Sequence, residues 1–586
     1  MRELTLSKEQ ERAVLSGSSA IVVVAGAGSG KTEVLARRVE RLLAESKSEN
    51  FKVLAVTYTV KAADELKDRL KGQLRELWRR VDTDTLHGFA LSLLRKYGTR
   101  VGLPAEPEIL SRDEDRVDLL NRWLGETGIH WPDAPPETFR NLDLARARLK
   151  TAPLLEEWRL ALEEQGALDY PAMLEKASEL LEGPWVGSHL KRLYKHIAVD
   201  EAQNLSPAQY EFLKALVGDP RDEHLNAILI GDQRQSVVEF AGADRTLIDR
   251  FRTEYGAEWI ELHTNYRSAG TIARVGQRIA QALGHPVEGL TEYPASGTVR
   301  VQQFPTEREE GKQVAEWIMD LLANGLPQHA VAPGESTLIK PSDVAVLGRA
   351  AAHLREVGRA LEIEGVEYAV ASSPDDWVSS PAAKAVTEIV AFRASPEHRS
   401  VKRRLEAIAG CDSYEWTELG ELFRGSSVEG LKKLANVPLG GPEVLIYGLR
   451  ELELEDPDWE GDLQQIEEAW TSFQGETART ARTFANFRHH LARCQRGESL
   501  KEGVRLLTVQ KAQGKEFRAV CVVACNEGQI PDFRAKAPSE REAELRIFYV
   551  AVTRPSRALL LTRAEERSTR YGSINTRPSN FLSYVD

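Results

Sequence analysis

The stretch AIVVVAGAGSGKTEVLARRVERLLA at residues 20–44 decides how the rest of the chain is read. Its small and β-branched residues from Ala20 to Val24 describe a buried strand, and the apolar residues recurring every three or four positions after Lys31 describe a helix. Between them lies AGAGSGKT (Ala25, Gly26, Ala27, Gly28, Ser29, Gly30, Lys31, Thr32), a phosphate-loop pattern with alanine in its first position. Gly26, Gly28 and Gly30 let the backbone bend tightly and aim N–H groups at phosphate oxygens from the start of a helix. Lys31 is then expected to reach the β- and γ-phosphates, and the Thr32 hydroxyl to ligate Mg²⁺.

Such a loop needs a carboxylate at the end of a neighbouring strand. HIAVDEAQ at 196–203 provides one, an apolar run ending in Asp200 and Glu201. Asp200 is expected to hold the metal and Glu201 to polarise the attacking water. An apolar run ending in Asp-Glu is by itself only a strand entering a loop; with the upstream glycine loop it becomes a triphosphate hydrolysis site.

At 586 residues the chain is too long for one hydrophobic core and should divide into about three to five domains. Hydrophobic residues at 42% and charged residues at 28%, without long low-complexity runs, describe an ordered globular protein. The start, MRELTLSKEQERAV, lacks a signal-peptide pattern and AIVVVAGAG is too short to span a bilayer, so a cytoplasmic protein without membrane association is expected. The cysteines (Cys411, Cys494, Cys521, Cys525) form no CxxC pair and read as buried free thiols rather than as a zinc or iron–sulfur site. The net charge of -12 does not exclude a nucleic-acid partner, because a polyanion meets only the local charge of its groove. From Thr477 to Gly497 the chain carries Arg479, Arg482, Arg488, Arg493 and Arg496 with Phe484 and Phe487 and no acid. That run reads equally as a DNA contact or as a solvated helix face.

Further landmarks follow in an order that resembles the UvrD/Rep/PcrA helicases of superfamily 1 across nearly the whole chain. They are LSKEQERAV at 6–14, VLAVTYTVKAADEL at 53–66, TDTLHGFALSLL at 83–94, ILIGDQRQSVVEFAGAD at 228–244, LHTNYRS at 262–268, VRLLTVQKAQGKEF at 504–517 and RIFYVAVTR at 546–554. ALDYPAMLEKA at 167–177 also matches the family. The resemblance implies that Gln10 bonds the adenine edge, Tyr266 stacks on the adenine, and Gly514 and Glu516 line the nucleotide, with Glu516 on the ribose. It implies that Gln235 senses the γ-phosphate, and that Arg267 and Arg554 are arginine fingers arriving from a second lobe. Fingers of this kind are worth roughly 10³ to 10⁵ in rate. On the DNA side it places Tyr58 and Phe240 against bases and Thr85, His87 and Thr508 near phosphates. Phe240 and His87 also read as core residues.

Departures from the family pattern fall on the coupling and DNA-side segments. Val60 stands for Asn, Glu33 for Arg, Val238 for Tyr, Ala241 for Arg and Pro555 for Ala. Gln510, Lys511, Gln513 and Lys515 replace His, Ser, Lys and Leu. ATP hydrolysis should survive these changes, and strand separation is the activity they bear on.

The fold implied is α/β: two RecA-like P-loop cores with parallel sheets and flanking helices, each with a mainly helical insertion, and ATP between them. The expected boundaries are 1–87 and 190–276 for the first core, 88–189 for its insertion, 277–390 and 501–586 for the second core, and 391–500 for its insertion. The chain as given ends soon after NFLSYVD at 580–586, so no nuclease domain and no docking tail are expected. The resemblance implies an ATP- and Mg²⁺-dependent DNA helicase moving 3′ to 5′ on single-stranded and 3′-tailed duplex DNA, in repair or replication restart. Two alternatives stay open: an ATPase subunit of a nuclease complex, in recombination or Gabija-type phage defence, and an ATP-gated DNA sensor that unwinds nothing. A separate nuclease and a second copy of the chain are the partners these readings call for.

Overall fold

The computed structural model describes residues 6–46, 50–105, 107–110, 113–128, 136–219, 226–284, 291–370, 378, 380–394, 396, 399–410, 419–426, 429–454, 459–495, 503–569 and 572–585. The strands are β1 (Ala20–Ala25), β2 (Lys52–Thr57), β3 (Val81–Thr85), β4 (Glu108–Ile109), β5 (Ala167–Leu168), β6 (Tyr194–Val199), β7 (Ala227–Gly231) and β8 (Glu258–Leu262). They continue with β9 (Thr298–Thr306), β10 (Val344–Gly348), β11 (Tyr368–Val370), β12 (Val504–Thr508), β13 (Phe517–Val522), β14 (Pro555–Thr569) and β15 (Gly572–Asn575).

The first sheet is parallel throughout, in the order β3-β2-β6-β7-β1-β8. Helices cover both faces, which is why AIVVVA, KVLAVT and AILIG are almost continuously apolar. The two faces divide by residue parity. Ile21, Val23, Val53 and Ala55 pack with Val34, Leu35 and Val39 of the helix Lys31–Glu45. Val22, Leu54 and Val56 share a cluster with Phe89, Phe139, Trp158 and Leu180 from the helices between β3 and β6. That helical segment therefore completes one face of the sheet.

The second sheet runs β11-β12-β10-β13-β14-β15, with β9 also paired to β14; β14 and β15 are antiparallel, and the other registered pairs are parallel. The first sheet and the second sheet from β12 onward with β9 and β10 lie in one compact unit, Met1–Tyr368 with Gly503–Asp586, and Ala369–Glu502 is a second unit. The helix Gly270–Ala282 sits with the second sheet rather than the first: a Cβ on its Gly276 would lie 3.1 Å from Thr553 Cγ2. The chain thus crosses between the sheets before residue 270, ahead of the expected boundary at 276.

The second unit is helical and begins earlier than the 391 expected from sequence, because Pro381–Ala394 is already one of its helices. Its buried face includes Ala382, Ala383, Val386, Ile389 and Val390. The arginine-rich run also resolves here. Phe487 is fully buried and Phe484 packs against the same cluster, so these aromatics are core residues and not a stacking platform. Arg482 donates to the carbonyls of Gln474 and Thr477 at 3.0 and 3.1 Å, closing the end of the helix Trp459–Glu476. Arg496 and Cys411 lie outside the described residues; Cys521 and Cys525 are buried free thiols and Cys494 is half-buried. Among the described residues no helix is long and apolar enough to cross a membrane.

Candidate functional site

The phosphate loop leaves β1 at its C-terminal end, where parallel α/β sheets place ligands. Gly28 and Gly30 have φ of +75° and +83°, a region costly for residues with a Cβ. Ser29 Oγ donates to the Gly26 carbonyl at 2.8 Å, and Lys31 and Thr32 open the following helix. Gln10 is nearly buried and donates from Nε2 to the Ser29 carbonyl at 2.9 Å. Its helix, Lys8–Leu15, is docked by the buried Arg38, whose Nη1 donates to the carbonyls of Ala13 and Ser16 at 3.1 and 2.9 Å. Burial there pushes the Arg38 guanidinium down to about 10.

Asp200 and Glu201 follow β6 beside the loop. Asp200 N–H donates to the Val56 carbonyl at 2.8 Å, and its carboxylate accepts from Glu201 N–H at 2.9 Å. Burial first, then the Glu201 charge, raises Asp200 above the ordinary carboxylate range, and Lys31 opposes the rise. Glu201 has φ 54° and ψ 40°, a left-handed backbone costing about 1–3 kcal/mol for a residue with a side chain. Gln203 Nε2 bonds the Glu201 carboxylate, and Gln203 Oε1 accepts from Asp232 N–H at 3.0 Å. The ends of β6 and β7 are thereby joined.

Gln235 follows β7. Its Nε2 donates to Asp232 Oδ2 at 2.9 Å, and its Oε1 accepts from Arg554 Nη2 at 3.0 Å. Arg554 arrives from the second sheet, just ahead of β14, and is buried. Arg267 pairs with Glu516. Burial holds both guanidinium groups below their ordinary values; for Arg554 the like charge of Arg267 adds to this, while Glu201 and Glu516 oppose it in both. Lys31, Asp200, Glu201, Gln235, Arg267, Glu516 and Arg554 are thus brought to one place. Gly514 lies on the exposed turn before Glu516, with φ +75°. Tyr266 sits directly on the glycine loop, its N–H donating to the Gly28 carbonyl at 2.9 Å.

Of the residues expected on DNA, Tyr58, Thr85 and His87 gather at the C-terminal ends of β2 and β3. Tyr58 and His87 line a cleft of about 370 Å³ with Arg146, Tyr170, Asn204, Gln209 and Ala241. Thr85 is nearly buried and caps the helix Leu86–Tyr97, accepting from Gly88 N–H at 3.0 Å. His87 is pushed down to about 4 by burial, with Asp169 weakly opposing, so it presents a neutral ring at pH 7 rather than a cation. Phe240 is 58% exposed, which removes the core reading. Thr508 ends β12 and is half-buried. Among the described residues no group of three or more His, Cys, Asp or Glu is arranged to hold a metal.

Sequence reasoning missed several neighbours. Gln513 Nε2 donates to Asn204 Oδ1 at 3.1 Å and to the Gln235 carbonyl at 3.0 Å, bridging the two sheets; it had registered only as a departure. Asn265 Oδ1 accepts from the N–H groups of Arg267 and Ser268 at 2.8 and 2.9 Å, a side-chain turn for which the Asn in NYRS was the available signal. Arg557 Nη1 donates to the Arg267 carbonyl at 2.7 Å, pairs with Glu335 and covers the Tyr293 ring at 3.7 Å. Ala269 N–H donates to the Ser556 carbonyl at 2.9 Å. Nothing in the local sequence marks Arg557, because its partners come from three distant segments.

Residues 6–256 match the UvrD/REP helicase N-terminal domain and residues 462–566 the UvrD-like helicase C-terminal domain, together more than half of the chain. The chain is similar to DNA helicase II of Escherichia coli (strain K12), 26% identical over 644 residues, covering 99% of this chain and 87% of the relative. It is 27% identical over 677 residues to ATP-dependent DNA helicase UvrD1 of Mycobacterium tuberculosis (strain ATCC 25618 / H37Rv), covering 99% and 85%. It is 25% identical over 658 residues to ATP-dependent DNA helicase PcrA of Bacillus subtilis (strain 168), again covering 99% and 85%. With a parallel and a mostly parallel sheet meeting over one glycine loop and both halves matched in order, the chain belongs to the UvrD/Rep/PcrA-like helicase family.

Proposed function

We propose that this protein is an ATP-driven motor that moves 3′ to 5′ on single-stranded DNA and separates 3′-tailed duplexes, in repair or replication restart. The observation that carries the reading is the hydrogen bond from Arg554 to Gln235, which joins the two sheets beside the glycine loop. The names of the relatives, DNA helicase II and ATP-dependent DNA helicase, support the substrate and the reaction.

In this reading the lobes are residues 1–87 with 190–276 and 277–390 with 501–586, and the insertions are 88–189 and 391–500, adjusted to the crossings described above. Gly26, Gly28, Ser29, Gly30 and the backbone of Ala25 and Ala27 cradle the phosphates while Lys31 neutralises the terminal ones. Gln10 and Tyr266 hold the adenine, and Gly514 and Glu516 the ribose side. The raised Asp200 fits a bound cation, since a second positive charge would relieve its repulsion from Glu201. Mg²⁺ held by Thr32 and Asp200 would withdraw charge from the phosphate oxygens. Glu201 accepts a proton from the attacking water, and Arg267 and Arg554 offset the negative charge that moves onto the γ-phosphoryl oxygens. Gln235 lies between that charge and the loop bearing Phe240. Tyr58 and Phe240 stack on bases at about 1–3 kcal/mol each without regard to sequence. Thr85 and Thr508, and the neutral His87, supply hydrogen bonds rather than charge to the backbone.

Steady-state ATPase measurements with and without oligo-dT test this, together with strand displacement on 3′- and 5′-tailed duplexes. Turnover should be low until DNA is added, and Lys31→Ala and Glu201→Gln should each abolish it while DNA binding persists. Phe240→Ala should lower the stimulated rate more than the basal one. Equal turnover with and without DNA would refute the motor, and displacement only from 5′ tails would refute its direction. Copurification of the native protein with a nuclease would assign it to a cutting complex instead.

A further inference from the structure

A further connection between the sheets, beyond those at Arg554 and Gln513, is used by none of the roles above. Glu239 immediately precedes the exposed Phe240, and its carboxylate accepts from Arg546 Nη2 at 2.8 Å. Arg546 Nη1 also reaches Glu542 Oε1 at 2.8 Å. Arg245, from the first sheet's side, contacts Glu542 Oε1 at 2.8 Å and Glu239 Oε1 at 3.6 Å. The four side chains form a ring of alternating charge, two from the loop after β7 and two from the helix Pro538–Val552.

Arg546 is the buried member, its side chain 3% exposed and its Nε without an acceptor. Glu239 and Glu542 are therefore what holds its charge out of water, and a desolvated cation of this kind does not give up a partner readily. The Glu239 carbonyl is fixed as well, accepting from Arg148 Nη2 at 3.1 Å. Arg546 and Arg554 lie on and just beyond one helix, separated by roughly 12 Å along its axis at about 1.5 Å per residue. The loop from Gln235 to Glu239 is thus tied to the same helix at both ends, at Arg554 and at Arg546.

We infer that Arg546 is a positioning residue for Arg554: through Glu239 it fastens the loop bearing Phe240 to the helix that delivers the arginine, so that a base on Phe240 sets where that arginine stands. The inference rests on the motor reading, and it adds the connection by which DNA regulates hydrolysis. A displacement of Phe240 reaches Glu239 one residue away, then Arg546 across a short ion pair, then Arg554 two residues past the end of the same helix.

The test compares wild type, Glu239→Gln, Arg546→Gln, Arg546→Lys and the double Glu239→Gln/Arg546→Gln variant in ATPase assays with and without oligo-dT, with melting curves for each. Basal turnover and KM for ATP should stay within about twofold of wild type, while the DNA-stimulated kcat falls about tenfold in each Gln variant. The double variant should fall no further than the singles, and Arg546→Lys should recover most of the stimulation. A parallel fall in basal and stimulated rates, multiplying effects in the double variant, or wild-type stimulation in Glu239→Gln would overturn the inference. Glu239 is partly exposed, so its Gln variant carries the test if Arg546→Gln fails to fold. A wild-type enzyme that DNA does not stimulate would instead defeat the motor reading, and this inference with it.

Discussion

A methyl group on Gly28 would collide with the Asn265 side-chain oxygen and lie 2.8 Å from Arg267 Cβ, on a backbone already at φ +75°. Gly28→Ala is therefore expected to lift the Asn265–Arg267 turn from the phosphate loop, lowering kcat/KM for ATP at least tenfold and stability by about 1–3 kcal/mol. Steady-state ATPase and urea titration read the two effects separately. The loop itself was legible in AGAGSGKT, because tight bending and phosphate approach are local demands on glycine. The second reason for this glycine was not, since it depends on a turn brought over the loop from another part of the chain. The same division holds at Glu201, where the carboxylate was legible beside Asp200 but its left-handed backbone was not.

Among the elements, the helix Lys8–Leu15 shows how a small piece of structure positions a distant group. Its capping box, Ser7 with Gln10, sets its start, and Arg38 fastens its last carbonyls to the helix that follows the phosphate loop. Arg38→Ala removes the donor to the buried Ala13 carbonyl, while the Ser16 carbonyl keeps Arg41 Nη2 at 3.2 Å, and should cost about 2 kcal/mol. Because Gln10 rides on this helix, KM for ATP should rise while kcat changes little, a split that nucleotide titrations resolve. Sequence patterning revealed β1 and β6, since buried parallel strands are unbroken apolar runs, but not β3 or β9, whose residues are largely polar. The expected boundary at 391 falls inside the helix Pro381–Ala394, where AVTEIVAF is apolar in too many directions to show a helical period. At Phe484 and Phe487 the sequence left the question open: aromatics between arginines suit a nucleic-acid surface as well as a helix packed on its neighbours, and only packing distinguishes them.

For the whole molecule, three half-buried histidines fix a stability profile. His87, His196 and His353 are each pushed down to about 4, in every case mainly by burial. The unfolded chain takes up protons below the ordinary histidine value near 6.5, whereas the folded protein refuses them until about pH 4. Stability from these groups is therefore complete above pH 6.5 and drains away as the pH falls toward 4, by at most about 1.4 kcal/mol per pH unit for each ring. Urea midpoints at pH 7.5, 6 and 5 should decrease steadily, and a flat profile would show the rings to be solvated. Neither this nor the contacts between the sheets was visible in composition: a net charge of -12 averages over the surface, while those contacts are made by a handful of arginines. One of them, Arg557, gives the molecule its mechanics. The short strip Asn265–Ala269 is sewn to the glycine loop at Tyr266 and to the second sheet at Arg267 and Ala269. That strip is one tie among several, with Arg554 on Gln235, Gln513 on Asn204 and Arg546 on Glu239, so a shift of either sheet reaches the glycine loop by more than one route.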